Sequence, residues 1–432
     1  MTFTEASTVE NLVRDLLCGA ITHHTAAGPG LARHSGKLSG LGWHYLAASN
    51  VPRQPHEPFA EDWLRDALLR LNPEIASIPD RADEVLYRLR AIVLSVRSDG
   101  LIKANEEFTA WLRGDRSMPF GPNDEHVTIR LLDFDDPENN HYVVTNQFTF
   151  RAGPAGRRAD LVLLVNGLPL VLIEAKTPVR KAVSWVDGAL QVHNDYEKFV
   201  PELFVANVFS VATEGKELRY GSIRMPVELW GPWRTDEDVS AGTLGEVKKA
   251  VHGLLQPRVL LDILANFTLF ATDKKKRRLK IVARYQQFEG ANLIVQRVLD
   301  GKPRKGLLWH FQGSGKSLLM VFAAQKLRMQ RELGNPAVII VVDRIDLDAQ
   351  ISATFHASDI PNLVKAETRA DLERLLKQDQ RKIIITTIFK FGEAGGVLNP
   401  NDNIVALVDE AHRTQEGDLG MKMRAALPNA FL

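Results

Sequence analysis

The stretch Trp309-His310-Phe311-Gln312-Gly313-Ser314-Gly315-Lys316-Ser317 decides the fold of the C-terminal part of this chain. It follows the apolar pair Leu307-Leu308 and precedes a helical pattern, Leu318 to Leu327. Strand, glycine-rich loop and helix in that order make a cradle for nucleotide phosphates. Gly313 and Gly315 leave room for backbone N–H groups to turn toward anionic oxygens, and the helix opening near Lys316 adds its positive end. In such a cradle Gln312 and Ser314 belong to the loop, Lys316 reaches the β- and γ-phosphates of ATP, and Ser317 ligates Mg2+. Where the full pattern has a glycine, five residues before Gly315, this chain has His310.

A partner for this loop lies downstream. Ile404 to Val408 is an apolar, strand-like run that ends in Asp409-Glu410-Ala411-His412. A carboxylate pair at the carboxyl end of a parallel strand suits Mg2+ binding by Asp409 and polarisation of an attacking water by Glu410.

The chain has 432 residues, enough for two or three domains with large cores. Its net charge of +1 leaves any nucleic-acid surface to local clusters. The single cysteine, Cys18, excludes an internal disulfide and a cysteine-based zinc site and fits a reducing cytoplasm. The first residues lack the layout of a signal peptide, and no apolar run reaches the ~18 residues of a membrane span.

Up to about residue 115 the spacing predicts helices: Thr8 to Cys18, Glu61 to Leu71 and Arg81 to Val96, with a loop over Gly28 to Gly42. The rhythm then predicts strands at Val127 to Leu132, Tyr142 to Phe150, Asp160 to Val165, Pro169 to Ala175, Leu203 to Ser210 and Glu217 to Tyr220. Trp230 and Trp233 fall in a loop and are expected to pack between domains. A helical stretch covers Leu244 to Phe270, and Lys274 to Lys280 reads as an exposed basic linker. Strands near Leu307, Val338 to Val342, Ile383 to Thr387 and Ile404 to Val408 then alternate with helices, which predicts a doubly wound parallel sheet. The division is expected near residue 255.

The first part holds its own constellation. Asp160 opens an apolar strand, Asn166-Gly167 is a hairpin-turn signal, and the returning strand ends in Glu174-Ala175-Lys176. Alternation puts Glu174 and Lys176 on one face, and the hairpin brings Asp160 beside them. Two carboxylates and a lysine at one point can bind Mg2+, activate water and offset charge on a phosphodiester. Asp160 and Glu174 are the candidate ligands, and Lys176 the residue that orients or helps deprotonate the water. Gln191 and Tyr196, on the next helix, can face the same point, and Glu10 on the first helix offers another carboxylate.

These residues resemble the restriction (motor and nuclease) subunit of type I restriction-modification enzymes over nearly the whole chain. Phe3-Thr4-Glu5-Ala6 with Thr8-Val9-Glu10 is similar to that family's opening. Asp160 with Glu174-Ala175-Lys176 matches its PD-(D/E)xK motif, and Gln191 with Tyr196 is similar to its Gln-x-x-x-Tyr element, one residue longer here. Arg284-Tyr285-Gln286-Gln287 resembles the adenine-reading glutamine motif, with Gln287 as the reader, and His310 in the phosphate loop looks normal for the family. Val342-Asp343-Arg344 with Leu347 and Gln350, and Thr386-Thr387 with Phe389-Lys390, are similar to strand-tracking motifs of superfamily 2 motors; Asp409-Glu410-Ala411-His412 matches the family's Walker B motif.

The resemblance implies an α/β chain: a PD-(D/E)xK nuclease-like domain over residues 1–255, then a RecA-like motor lobe over 256–432. It implies ATP and Mg2+ as cofactors, double-stranded DNA as substrate, and a complex with methyltransferase and specificity subunits that cuts unmethylated duplex away from the recognition site. The family also has a second RecA-like lobe, for which Leu432 leaves no room, so the chain is expected to be an N-terminal portion that does not translocate DNA alone. The alternatives are a non-catalytic remnant that binds DNA or partner subunits, or a superfamily 2 helicase fragment.

Overall fold

In the computed structural model the described residues are 9–19, 40–177, 182–233, 240–273, 275–310, 314–342, 363–378, 381–392, 396–409 and 418–432. They fall into two compact units. The first is Met1–Thr268 together with Arg278–Val282; the second is Leu269–Arg277 together with Ala283–Leu432.

The first unit begins with amphipathic helices. Helix α1 (Asn11–Cys18) buries Val13, Leu16 and Leu17, and α2 (Glu61–Leu71) buries Leu64, Ala67, Leu68 and Leu71. In α3 (Arg81–Asp99) the buried Val85, Leu86, Leu89, Val93 and Val96 recur at helical spacing, and Gly100, at φ +87°, separates it from α4 (Leu101–Leu112). The sheet beside them has six strands among the described residues. These are β1 (His44–Tyr45), β2 (Tyr142–Ala152), β3 (Ala155–Val165), β4 (Leu168–Ala175), β5 (Phe209–Thr213) and β6 (Leu218–Gly221), and their spatial order is their sequence order. Strands β1 and β2 are parallel, as are β4 and β5; the other neighbours are antiparallel. Every residue of β4 is buried, which marks it as a central strand covered on both faces.

The β3–β4 hairpin is fixed by its turn. Asn166 and Gly167 sit at φ +49° and +84°, the two left-handed positions of a tight hairpin turn. Asn166 is fully buried; its amide donates to Leu131 O and Asn140 Oδ1, and its Oδ1 accepts from His141 N. A side chain on Gly167 would run into the carbonyl of Ala60, whose N–H bonds Gly167 O.

Several expectations change. Of Val127 to Leu132, only Val127–Thr128 is a strand. Leu203 opens no strand, because Pro201–Phe204 forms a 3-10 turn and the strand starts at Phe209. Pro257 lacks the N–H that would continue the preceding helix, so the stretch splits into α6 (Leu244–Leu254) and α7 (Pro257–Asn266), with α5 (Trp185–Leu190) earlier in the chain. The basic run is not all linker: Arg278–Val282 is an extended strand of the first unit, Arg278 pairs with Glu106, and Lys280 is buried with its ammonium donating to Asn207 O. Alternation in Arg-Leu-Lys-Ile-Val turns Lys280 to the same side as Arg278 and Val282. Trp230 and Trp233 are buried within the first unit, Trp233 edge-on to Tyr220 at 5.7 Å.

In the second unit, α8 (Tyr285–Asp300) and α9 (Lys316–Met329) accompany a four-stranded parallel sheet among the described residues. Its strands are β7 (Ala337–Val342), β8 (Leu363–Lys365), β9 (Ile383–Thr387) and β10 (Ile404–Val408), in the order β8-β9-β7-β10. Ile340 stands opposite both Ile385 and Leu407, and all of β7 is buried. No strand forms at Leu307. Gly306 N bonds Leu432 O, but among the described residues no ladder takes up the groups from Leu307 to His310, and Leu307 and Trp309 are 79% and 85% exposed. Among the described residues no helix is long and apolar enough to cross a membrane.

Candidate functional site

Five of the sequence-predicted residues converge in the first unit. Asp160 lies on β3 one residue before its ladder with β4 begins at Leu161, and its Oδ2 accepts from Ala175 N at 2.9 Å. Glu174, on β4, is 1% exposed. The Lys176 ammonium, just past β4, donates to Glu174 Oε1 at 2.9 Å and to Gln191 Oε1 at 2.6 Å. Gln191 Nε2 donates to the Tyr196 hydroxyl at 2.5 Å, and that hydroxyl donates to Arg158 O at 2.9 Å. A continuous chain of hydrogen bonds therefore runs from the Glu174 carboxylate through Lys176, Gln191 and Tyr196 back to β3.

The extra residue between Gln191 and Tyr196 is absorbed locally. Helix α5 starts with a capping box: Ser184 Oγ accepts from Val186 N, and the Asp187 carboxylate accepts from Ser184 N. It then widens into a π-helix over Gln191–Tyr196. In a π-turn the bond runs i→i+5, so residues five apart come onto one face as residues four apart do in an α-helix. Tyr196 reaches Gln191 for that reason. The turn is also tied outward, since the Arg157 guanidinium grips Asp195 through two bonds of 2.6 Å.

The electrostatics are those of two carboxylates held close together away from water. The Glu174 carboxyl is pushed up to about 8, first by burial and next by the Asp160 carboxylate beside it, against the pull of Lys176. Its Oε2 is buried with no hydrogen-bond partner. Burial and the two carboxylates also push the Tyr196 phenol up, so it stays neutral. Glu10 is buried and both its oxygens accept from Gln147 Nε2, at 3.1 and 2.9 Å. Among the described residues no group of three His, Cys, Asp or Glu side chains gathers to hold a metal. Sequence reading passes over Arg158 and Gln147. The available signal was spacing: Arg158 precedes Asp160 by two on the same strand, and Gln147 falls opposite Asp160 between the pairs Asn146–Leu161 and Phe148–Ala159.

The second constellation lies in the other unit. Gly315 adopts φ +84° and caps α9, whose first two residues are Lys316 and Ser317. Ser314 is buried, with an Oγ that has no partner. Gln287 Oε1 accepts from Arg284 N at 2.9 Å and its Nε2 donates to Gly315 O at 3.1 Å, so the start of α8 is tied to the loop. A side chain on Gly290 would come within 3.2 Å of His310 Nε2. Burial, then Lys316, holds the His310 imidazole below its usual range and neutral. Asp409 is buried at the end of β10, its N–H bonding Val341 O. Gln312, Gly313 and Glu410 lie outside the described residues, as do Asp343, Arg344, Leu347 and Gln350. Thr386 and Thr387 are buried at the end of β9, and Lys390 donates to Ala366 O at 2.5 Å.

A chain with a carboxylate–lysine cluster in a mixed sheet and a second unit built on a parallel sheet fits two families in tandem. Residues 35–226 match the type I restriction enzyme R protein N terminus, and residues 286–432 match the SWI2/SNF2 ATPase. The type I restriction enzyme HindI endonuclease subunit of Haemophilus influenzae is 33% identical over 91% of this chain and 41% of its own length. The putative MjaIXP endonuclease subunit of Methanocaldococcus jannaschii is 30% identical over 91% of this chain and 40% of its own. The chain belongs to the type I restriction enzyme R protein family, with a SWI2/SNF2-type ATPase region, and spans about two fifths of the length of these relatives.

Proposed function

We propose that this chain carries the PD-(D/E)xK nuclease domain and a RecA-like motor lobe of an ATP- and Mg2+-dependent type I restriction endonuclease. The observation that carries the reading is the hydrogen-bonded set Asp160, Glu174, Lys176, Gln191 and Tyr196, with a buried, partnerless carboxylate oxygen at its centre. Asp160 and Glu174 would hold the metal, which when bound supplies charge against the scissile phosphate and an acidified water. A cation there also relieves the repulsion that raises the Glu174 carboxyl. Lys176 holds its ammonium where charge builds on the phosphodiester and can exchange a proton with the attacking water. Gln191 orients Lys176, and Tyr196 orients Gln191.

In the second unit, Gln312 to Ser317 would cradle the ATP phosphates, with Lys316 on the β- and γ-phosphates and Ser317 and Asp409 toward Mg2+. Glu410 would polarise the attacking water. Gln287 would read the adenine, and its amide also holds the loop to α8 through bonds at both ends. The parallel order β8-β9-β7-β10 supports a RecA-like lobe. The substrate of the whole enzyme would be unmethylated duplex DNA cut away from its recognition site, with methyltransferase and specificity subunits supplying recognition.

Cleavage of supercoiled plasmid with Mg2+, with and without ATP, tests the nuclease reading. The chain should nick DNA and Asp160→Ala should not. Equal cutting by both would overturn the assignment of the site.

A further inference from the structure

Strands β2 and β3 run on as a two-stranded ribbon beyond the sheet. They pair as far as Ala152–Ala155, whereas β4 accompanies β3 only from Leu161 to Val165. Opposed residues of an antiparallel pair share a face, and so do alternate residues of one strand. Asp160, Arg158, its opposite number Thr149, and Arg151 opposite Gly156 therefore lie on one face. Burial agrees, since Phe148, Phe150 and Ala159 of the other face are buried while Arg151 and Arg158 are exposed.

The ribbon carries three arginines, and only Arg157, on the opposite face, gives its charge to a carboxylate, Asp195. Among the described residues Arg151 and Arg158 make no ion pair. The Arg151 stem lies across Gly156, where a side chain would come within 3.3 Å of its Cγ. Two-residue steps along the strand, about 6.6 Å each, thus carry the face from Asp160 to Arg158 and on to Arg151, close to the spacing of successive phosphates on one DNA strand. Arg158 also anchors the site through its own carbonyl, which accepts from Tyr196.

We propose that this ribbon face is the arm that grips the DNA backbone beside the scissile bond, Arg158 on the phosphate next to the site and Arg151 on one farther along. The proposal rests on the nuclease reading and adds to it which phosphates are held and by what.

The test is binding of a short labelled duplex by the full chain, followed by fluorescence anisotropy without divalent ions across a salt titration. Each phosphate contact removed should flatten the plot of log K against log salt by about 0.9. Arg158→Ala and Arg151→Ala should each show that change, and the double variant about twice it. Arg158→Lys should restore the slope, which a loss of folding would not allow. In plasmid nicking, Arg158→Ala should raise KM about tenfold with kcat little changed. A double variant with the unsubstituted slope, or no duplex binding by the unsubstituted chain, overturns the proposal. Asp160→Ala separates the two readings: it should keep the slope and lose cutting, and if it cuts normally the nuclease assignment fails while the ribbon result stands.

Discussion

Tyr196 shows how much one hydroxyl can organise. It accepts from Gln191 and donates to Arg158 O, so it closes the chain of bonds that ends on Lys176 and Glu174. Tyr196→Phe keeps the ring and its burial but frees the Gln191 amide, and with it the orientation of Lys176. A neutral buried hydrogen bond contributes about 1 kcal/mol, so kcat for nicking should fall by about tenfold or less. KM should be unchanged, because the phenol does not face the duplex in this reading. A Tyr196→Phe enzyme with unaltered kcat would show that Gln191 is held by something else. The meeting of Asp160, Glu174 and Lys176 was legible from the sequence because strand alternation and an Asn-Gly turn are both strong local rules. The surroundings of Lys280 were not. A lysine in a basic run reads as solvated, whereas in the fold the distant carbonyl of Asn207 accepts from its ammonium and Glu197 lies nearby.

At the scale of elements, the π-turn is the instructive case. Counting residues makes Gln191 and Tyr196 one position too far apart for an α-helical face, and nothing in the composition of Gln-Val-His-Asn-Asp-Tyr announces a wider turn. The structure spends the extra residue inside the turn and keeps both ends in place. Deleting Asn194, which is exposed, should therefore restore α-helical spacing without separating Gln191 from Tyr196. The deletion variant is expected to fold and to nick plasmid within about threefold of the unsubstituted chain, measured beside Asp160→Ala. Loss of cutting by a well-folded deletion variant, judged by circular dichroism, would mean that the π-geometry itself is required. The missing strand at Leu307 has the opposite lesson. Its apolar pattern is sound, but a strand is made by its neighbour, and among the described residues none takes up the hydrogen bonds beyond Gly306.

At the scale of the whole molecule, buried charge in the first unit sets how stability responds to pH. The Glu197 carboxyl is held up to about 8 from its ordinary 4.5, first by burial, against the Arg224 N–H and the charges of Arg224 and Lys280. The folded chain thus keeps a proton that the unfolded chain loses between those values. This group's contribution is fully present below pH 4.5 and is lost as pH rises through about 8. Lys280, held well below its ordinary value chiefly by burial and then by Arg113, acts in the opposite sense as pH rises toward that value. Glu197→Gln removes the first effect and, by taking away a carboxylate that holds the Lys280 value up, enlarges the second. Urea midpoints of the variant should gain on those of the unsubstituted chain across that window, and a difference that stays constant with pH would contradict the raised carboxyl.

The first unit contains a strand, Arg278–Val282, that is separated from the rest of it by Leu269–Arg277. During synthesis the ribosome must deliver those last five residues before the pocket around Asn207 can receive Lys280. A protease nick within 269–277 would break the covalent link yet leave the strand lodged by its own bonds, as a short tenon stays in its mortise after the beam is sawn. A recombinant nuclease fragment trimmed at Thr268 would lack the tenon, and one carried through Val282 would keep it.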